Sequence, residues 1–326
     1  VSEKKEAPPP VVVSGFKGIH NRIDPVRLGM TYQLTAENAL CSDDGFLVRR
    51  PGVATLTSGY KDMFGTRDGR LLLITSGDAL VERYASGSES TIATGVTGAP
   101  FHWCELGYAL FVQSKTKTAQ WAIYPGRVLE WGALCPTLSE PTYPVGDPQS
   151  YPPPYGDVVG VRRSQIVVGA YESSRDRSVL YYSQPDSPHE FRLDSDYALL
   201  AGRVTLLAGL SQGMIIGTDR AIFVDTPEQP IQKLADFGVR LGASFMDDKG
   251  MVYLWTDRGL CRALPFEMMT DAVLAPTVRQ NAAVGRLPHN GSDYVIVTQT
   301  GPETAKKTVQ SYIPAAIATT KTQGIT

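Results

Sequence analysis

Four histidines, four cysteines and a scatter of carboxylates are the residues of this chain equipped for chemistry, and their spacing decides what they could do. His20, His102, His189 and His289 stand far apart, and none pairs with a cysteine at metal-ligand spacing. His102 is followed by Trp103 and Cys104, but a nucleophilic Cys104 needs a base that the neighbouring sequence does not supply. The ordinary reading is a partly buried strand. Cys41, Cys104, Cys135 and Cys261 form no CxxC pair and read as buried free thiols. Asp186, Glu190, Asp194 and Asp196 could supply paired carboxylates for glycoside cleavage. Asp and Ser are also the common residues of surface turns, which is the plainer role.

Sequence signatures of nucleophile elbows, HExxH zinc helices, phosphate loops and GxGxxG turns do not occur. Asp43-Asp44-Gly45 and Asp247-Asp248-Lys249-Gly250 lack the acidic alternation of a calcium loop and read as turns. Tyr151, Tyr155, Tyr181 and Tyr182 could form a carbohydrate-stacking face, against the alternative that they pack one sheet on another. Asn290-Gly291-Ser292 matches a glycosylation acceptor but serves equally as a turn. Arg49-Arg50 and Arg162-Arg163 could face DNA or an acidic partner, or guard strand edges. These residues assign no catalytic, cofactor-binding or metal-binding role, and we expect a protein that is not an enzyme.

The elements that hold these residues are strands. The chain has 326 residues, 42% hydrophobic, with 31 glycines and 23 prolines, a balance that suits frequent turning around a large core. Lys and Arg number 31 against 33 Asp and Glu, for a net charge of -2, so a domain built chiefly to grip phosphates is disfavoured. No apolar run approaches the roughly 20 residues of a membrane span. The opening Val1-Ser-Glu-Lys-Lys-Glu lacks the apolar stretch of a secretion signal.

Residues 165–183 show the unit that recurs. An apolar strand, Gln165–Gly169, precedes a charged tip and a second strand, Ser178–Ser183. Similar pairs begin near Gly69, Gly107, Ser164, Gln212, Lys249 and Asn290, at intervals of 38, 57, 48, 37 and 41 residues. That period is the one of propeller blades. Thr218-Asp219-Arg220 and Thr256-Asp257-Arg258 are identical triplets at the same place of successive units. The longest interval holds Pro136, Pro141, Pro144, Pro148 and Pro152-Pro153-Pro154, a run unsuited to a sheet interior.

The sequence therefore predicts an all-β chain: a single β-propeller of roughly five or six small blades over residues 15–300, with a Pro-rich connector at 136–156. Residues 1–14, carrying Pro8–Pro10 and Val11–Val13, predict an extended N-terminal arm, and residues 301–326 a C-terminal arm. Helical spacing is confined to two short stretches, Pro265–Asp271 and Ala275–Ala283.

Residues 15–52 carry a Phe-x-Gly opening (Phe16, Gly18), a Leu28-Gly29 step, Ala36-Glu37-Asn38, a hairpin at Asp44-Gly45 and an Arg50-Pro51-Gly52 closure. With Tyr181–Phe191 and Gly202–Asp219, this set resembles the bacteriophage tail-hub, or nozzle "stabilisation", propellers of short-tailed phages. The resemblance covers about residues 15–265. It implies a structural virion protein, made in the host cytoplasm, that forms a homo-oligomeric ring with other tail or connector proteins. Such a ring retains packaged DNA and lets it pass at ejection without sequence-specific binding. The alternative function is a receptor- or carbohydrate-binding propeller at the tail tip or fibres.

Overall fold

The computed structural model describes residues 59–84, 86–135, 150–247 and 249–270 in full. Elsewhere it describes the strands Gly18–Ile19, Tyr32–Gln33, Ala39–Cys41, Leu47–Arg49, Asn281–His289, Ser292–Thr300, Thr308–Ile313 and Ala316–Lys321. The arm at 1–14 and residues 136–149 of the Pro-rich connector lie outside the described residues.

Five sheets of four or more strands form a β-propeller. Blade 1 is the antiparallel meander Tyr60–Gly65, Leu71–Thr75, Leu80–Arg83 and Glu89–Ala93. Blade 2 is Phe101–Leu106, Ala109–Ser114, Gln120–Tyr124 and Arg127–Glu130. Blade 3 starts with Val158–Arg162, Gln165–Glu172 and Arg177–Gln184, and the last of these pairs with both Ser187–Phe191 and Tyr197–Ala201. Blade 4 is Val204–Leu210, Gly213–Thr218, Ile222–Thr226 and Gln229–Ala235. The fifth sheet has eight strands. It joins the meander Val239–Met246, Val252–Thr256, Gly259–Arg262 and Glu267–Met268 to a second one running from Asn281 to Lys321. A parallel bridge between Leu241 and Asn281 makes the junction. This double sheet accounts for the last two of the six sequence repeats.

Burial follows from the stacking of blades. In blades 2 to 4 the second strand is flanked by blades on both faces, so it is apolar without alternation. Ala109–Ser114 and Gly213–Thr218 are buried at every position. Fourth strands such as Glu89–Ala93 and Gln229–Ala235 lie at the rim and are mostly exposed and polar. First strands lie side by side from blade 2 onward, Phe101–Leu106 against Val158–Arg162, then Val204–Leu210, then Val239–Met246. Seams between blades hold the core. Phe64, Leu72, Leu110 and Val112 fill the first, and Phe111, Trp131, Ile166, Val168 and Phe191 the second.

The sequence repeats fall where the second and third strands lie. Residues 265–270, given a helical reading above, are turn and the short strand Glu267–Met268, because their backbone completes a meander by pairing with Cys261 and Arg262. Thr308–Ile313 and Ala316–Lys321, within the stretch read as a C-terminal arm, pair in turn with Ser292–Thr300. Ala39–Cys41 and Leu47–Arg49 pair antiparallel with Cys41 opposite Leu47, which brackets Asp44-Gly45 as a hairpin would. That turn itself lies outside the described residues. The described end of the connector runs along the seam between blades 2 and 3. There Gln113 Nε2 donates to the Pro154 carbonyl at 2.6 Å and Gln120 Nε2 to the Pro153 carbonyl at 3.2 Å.

Candidate functional site: a tyrosine groove and the polar seams behind it

Meanders send successive hairpins to opposite ends of a blade, so the propeller has two unlike faces. The face bearing the hairpins between second and third strands carries the Thr-Asp-Arg triplets. Thr218 and Thr256 are fully buried. Thr218 Oγ1 accepts from the amides of Arg220 and Ala221, and Thr256 Oγ1 accepts from Arg258. The aspartates tie each hairpin to the strand that starts its own blade. Asp219 donates its amide to the Arg203 carbonyl and accepts the Arg203 amide on Oδ1, both at 2.9 Å. Asp257 does the same with Gly238 at 3.0 and 3.2 Å. Ser76 to Gly59 and Lys115 to Pro100 repeat the backbone half of this clasp in blades 1 and 2. The repeated triplet is thus architectural.

Charges cross the seams on this face. Asp157 takes Lys117 of blade 2 at 3.3 Å and Arg203 at the start of blade 4 at 3.1 Å, and it accepts the Tyr171 amide at 2.8 Å. Beside it, burial first and then the charge of Lys115 push His102 down to about 4, with Asp157 opposing and Arg203 and Lys117 adding to the shift. The folded value lies below the ordinary imidazole value of 6.5, so between these pH values the unfolded chain binds a proton that the native chain refuses. Stability is full above pH 6.5 and falls toward pH 4, by about 2–3 kcal/mol from this residue. Urea denaturation at pH 7.5 and 4.5 should show the loss, and His102→Gln should remove most of the difference.

The other chemistry-bearing residues disperse. Cys104 is buried, and burial raises its thiol far above the reactive range. Cys261 is likewise buried and pushed up to about 12. Both are inert core thiols. Asp196 accepts from Gln184 at 2.6 Å, and Glu190 accepts from Ser150, 40 residues earlier, at 3.4 Å, so these two carboxylates serve different contacts. Asp186 sits in a tight turn at φ +58. Among the described residues no group of three or more His, Cys, Asp or Glu could hold a metal ion. The four tyrosines singled out in the sequence serve separate contacts. Tyr182 donates to Asp225 at 2.9 Å, Tyr181 packs in the seam between blades 2 and 3, and Tyr151 bridges to Phe191. Tyr155 is exposed.

The opposite face holds a groove that the sequence reading missed. Two cavities, of about 360 and 400 Å³, open between blades 1 and 2 and between blades 2 and 3. Tyr108, Ala109 and Tyr124 belong to both. Tyr108 occupies a hairpin tip whose Gly107 has φ +62, and it is 74% exposed. Tyr124 is held from behind. Its ring stacks on His189 with an interplanar angle of 11°, and Arg127 stands 5.0 Å from its centroid. His189 is buried, and burial with the nearby Arg127 holds its imidazole below the ordinary value, so it is neutral at pH 7. The Gly132 amide donates to Nδ1 at 3.0 Å, which assigns the single ring proton to Nε2. Nε2 lies 2.6 Å from Tyr124 Oη and therefore donates to it. The phenolic proton remains available to the groove.

No protein-family model and no curated protein sequence matches this chain. Similar solved structures include YCF48 bound to D1 peptide, at 9% identity and TM-score 0.44, covering 81% of this chain and 82% of that one. Another is the extracellular domain of a putative one component system, BT4673, from B. thetaiotaomicron, at 9% identity and TM-score 0.43. That match covers 84% of this chain, which spans 40% of the other's length. Apo AztD from Citrobacter koseri follows at 14% identity and TM-score 0.39, covering 86% and 77% of the two chains.

Proposed function

We propose that this chain is a non-enzymatic structural subunit of a bacteriophage virion, forming a ring in the tail hub or nozzle that holds packaged DNA until ejection. The observation that carries this reading is where the motif-bearing residues sit. Those of Tyr181–Phe191 and Gly202–Asp219 close blade 3 onto its neighbours. Ser178 Oγ donates to the Gly202 carbonyl and accepts the Val204 amide, each at 2.8 Å, which staples blade 4 to blade 3. Trp131 of blade 2 donates to the Pro188 carbonyl at 2.8 Å, and Phe191 is fully buried beneath it. The motif set is thus a signature of scaffold, as a structural protein requires.

In this reading no bond is broken. Copies associate head to tail around the tail axis, a heterologous contact that closes into a ring. The near-neutral chain, with a net charge of -2, leaves DNA free to slide, since each neutralised phosphate adds grip. The arm with Val11–Val13 is suited to strand addition on an adjacent subunit or adaptor. Antibody-gold labelling of intact particles, viewed by electron microscopy, tests the assignment. Label confined to the tail vertex or axial channel supports it, label on peripheral fibres transfers the protein to receptor binding, and particles that carry no label overturn it. The tyrosine groove favours the second of these roles or adds to the first.

A further inference from the structure

We propose that the groove across blades 1 to 3 binds a neutral or amino-sugar oligosaccharide, with the Tyr108 ring as its stacking platform and the Tyr124 hydroxyl as a fixed donor. The groove is lined by residues of a single chain, so the inference does not rest on the tail-hub reading. Its two cavities, about 360 and 400 Å³, each fall in the range of small-molecule sites. They meet at Tyr108, which presents a large apolar ring to solvent between them. A tyrosine combines an apolar face with a polar tip, which matches a sugar ring: C–H groups against the face, hydroxyls toward the rim.

The polar wall selects the ligand class. Glu82 and Glu105 line the first cavity and Asp186 the second, so acceptors face both ends of the groove. The cation in its lining, Arg70, is already engaged with Asp68 at 2.7 Å, and the nearby Arg127 lies over the Tyr124 ring. Polyanions meet carboxylates there that form no ion pair among the described residues, Glu105 accepting the Arg67 amide at 2.9 Å, and a purely apolar ligand would displace their water without replacing its hydrogen bonds. A ligand rich in hydroxyl donors satisfies them, and an amino sugar adds a cation. Tyr124 supplies the complementary donor, since His189 occupies its oxygen and leaves its proton outward. Two cavities in tandem call for at least two sugar units.

The purified full chain should be applied to an array of defined neutral, amino-sugar and acidic oligosaccharides, then titrated calorimetrically with the strongest neutral or amino-sugar glycan. Binding to a disaccharide or longer is expected, with the corresponding monosaccharide at least tenfold weaker. Tyr108→Ala should weaken binding by about tenfold or more without moving the thermal midpoint, because the ring is exposed. Tyr124→Phe should weaken it by about three- to tenfold through the lost donor. Tyr108→Ala keeps the test independent of any loosening that Tyr124→Phe causes around His189. The proposal is overturned if no array glycan binds at millimolar concentration, if only acidic glycans bind, or if Tyr108→Ala binds as tightly as the unaltered chain. None of these outcomes alters where gold label falls on a particle.

Discussion

Asp225→Ala is expected to destabilise the propeller by about 3–5 kcal/mol, the range for removing one partner of a buried ion pair. Asp225 lies on the third strand of blade 4 and is 3% exposed. Its partners come from blade 3. Arg162 places Nη2 3.1 Å from Oδ1 and Nε 2.9 Å from Oδ2, and Tyr182 donates to Oδ2 at 2.9 Å. Arg162 also stands 5.3 Å from the Tyr182 ring centroid. Burial, and then the Asp225 charge, raise the Tyr182 phenol, so it stays a donor across the accessible pH range. Truncation leaves a guanidinium and a phenol without their acceptor in a seam that water barely reaches. Arg162→Met combined with Asp225→Leu should recover much of the loss, because matched apolar replacement of a buried pair is often close to neutral. Chemical denaturation of the three variants checks this. If Asp225→Ala costs no more than Arg220→Ala, which breaks an exposed pair to Asp176 on the far face, the seam is wetter than its geometry implies.

How much of this was legible beforehand depended on whether the signal was local. The second and third strands were readable because each is an apolar run ended by a turn residue, as at Leu71–Thr75 before Ser76-Gly77-Asp78. The Thr-Asp-Arg repeat was visible as a pattern, although its meaning, a hydroxyl and carboxylate closing a hairpin on its own blade, needed the geometry. Rim strands such as Gln229–Ala235 were not readable, because exposure removes the apolar signal. The double fifth sheet was obscured because its last strands, Thr308–Ile313 and Ala316–Lys321, read as polar and small in the sequence. Neither Asp225 nor the groove could be inferred from spacing. Arg162 and Asp225 are 63 residues apart, and Tyr124 meets His189 across 65. Tyr108 carried one weak hint, an aromatic placed directly after the glycine of a hairpin tip. The tyrosines that did attract notice, Tyr181 and Tyr182, lie on a strand whose two faces both meet neighbouring blades, and packing claims them.

Blades 3 and 4 meet closely along their first strands, and Gly160→Ala should expose that joint. A Cβ at Gly160 would lie 2.4 Å from Leu207 Cβ and 2.9 Å from the Leu207 carbonyl oxygen. The mirror contact is Gly209, whose added Cβ would stand 2.7 Å from the Val161 carbonyl oxygen. Two strands of different sheets therefore approach backbone to backbone, each through a glycine, and neither obstacle is the end of a flexible side chain. The strands must part, which pulls apart the cluster of Val158, Val167, Leu207 and Met214. Overpacking of this kind costs about 1–3 kcal/mol and occasionally more, and we expect about 3 kcal/mol here because backbone has to move. Gly160→Val should prevent accumulation of folded protein. Gly209→Ala should resemble Gly160→Ala, and the double variant should cost less than the sum, since one displacement relieves both contacts. Gly65→Ala, with nothing within 4 Å of the new atom, serves as the neutral control. Hydrogen exchange discriminates the mechanism. Protection at Ile166–Val168 and Met214–Ile216 should fall together if the seam opens. A loss confined to the strand carrying the substitution would place the cost in that strand alone and remove the case for a seam that opens as one.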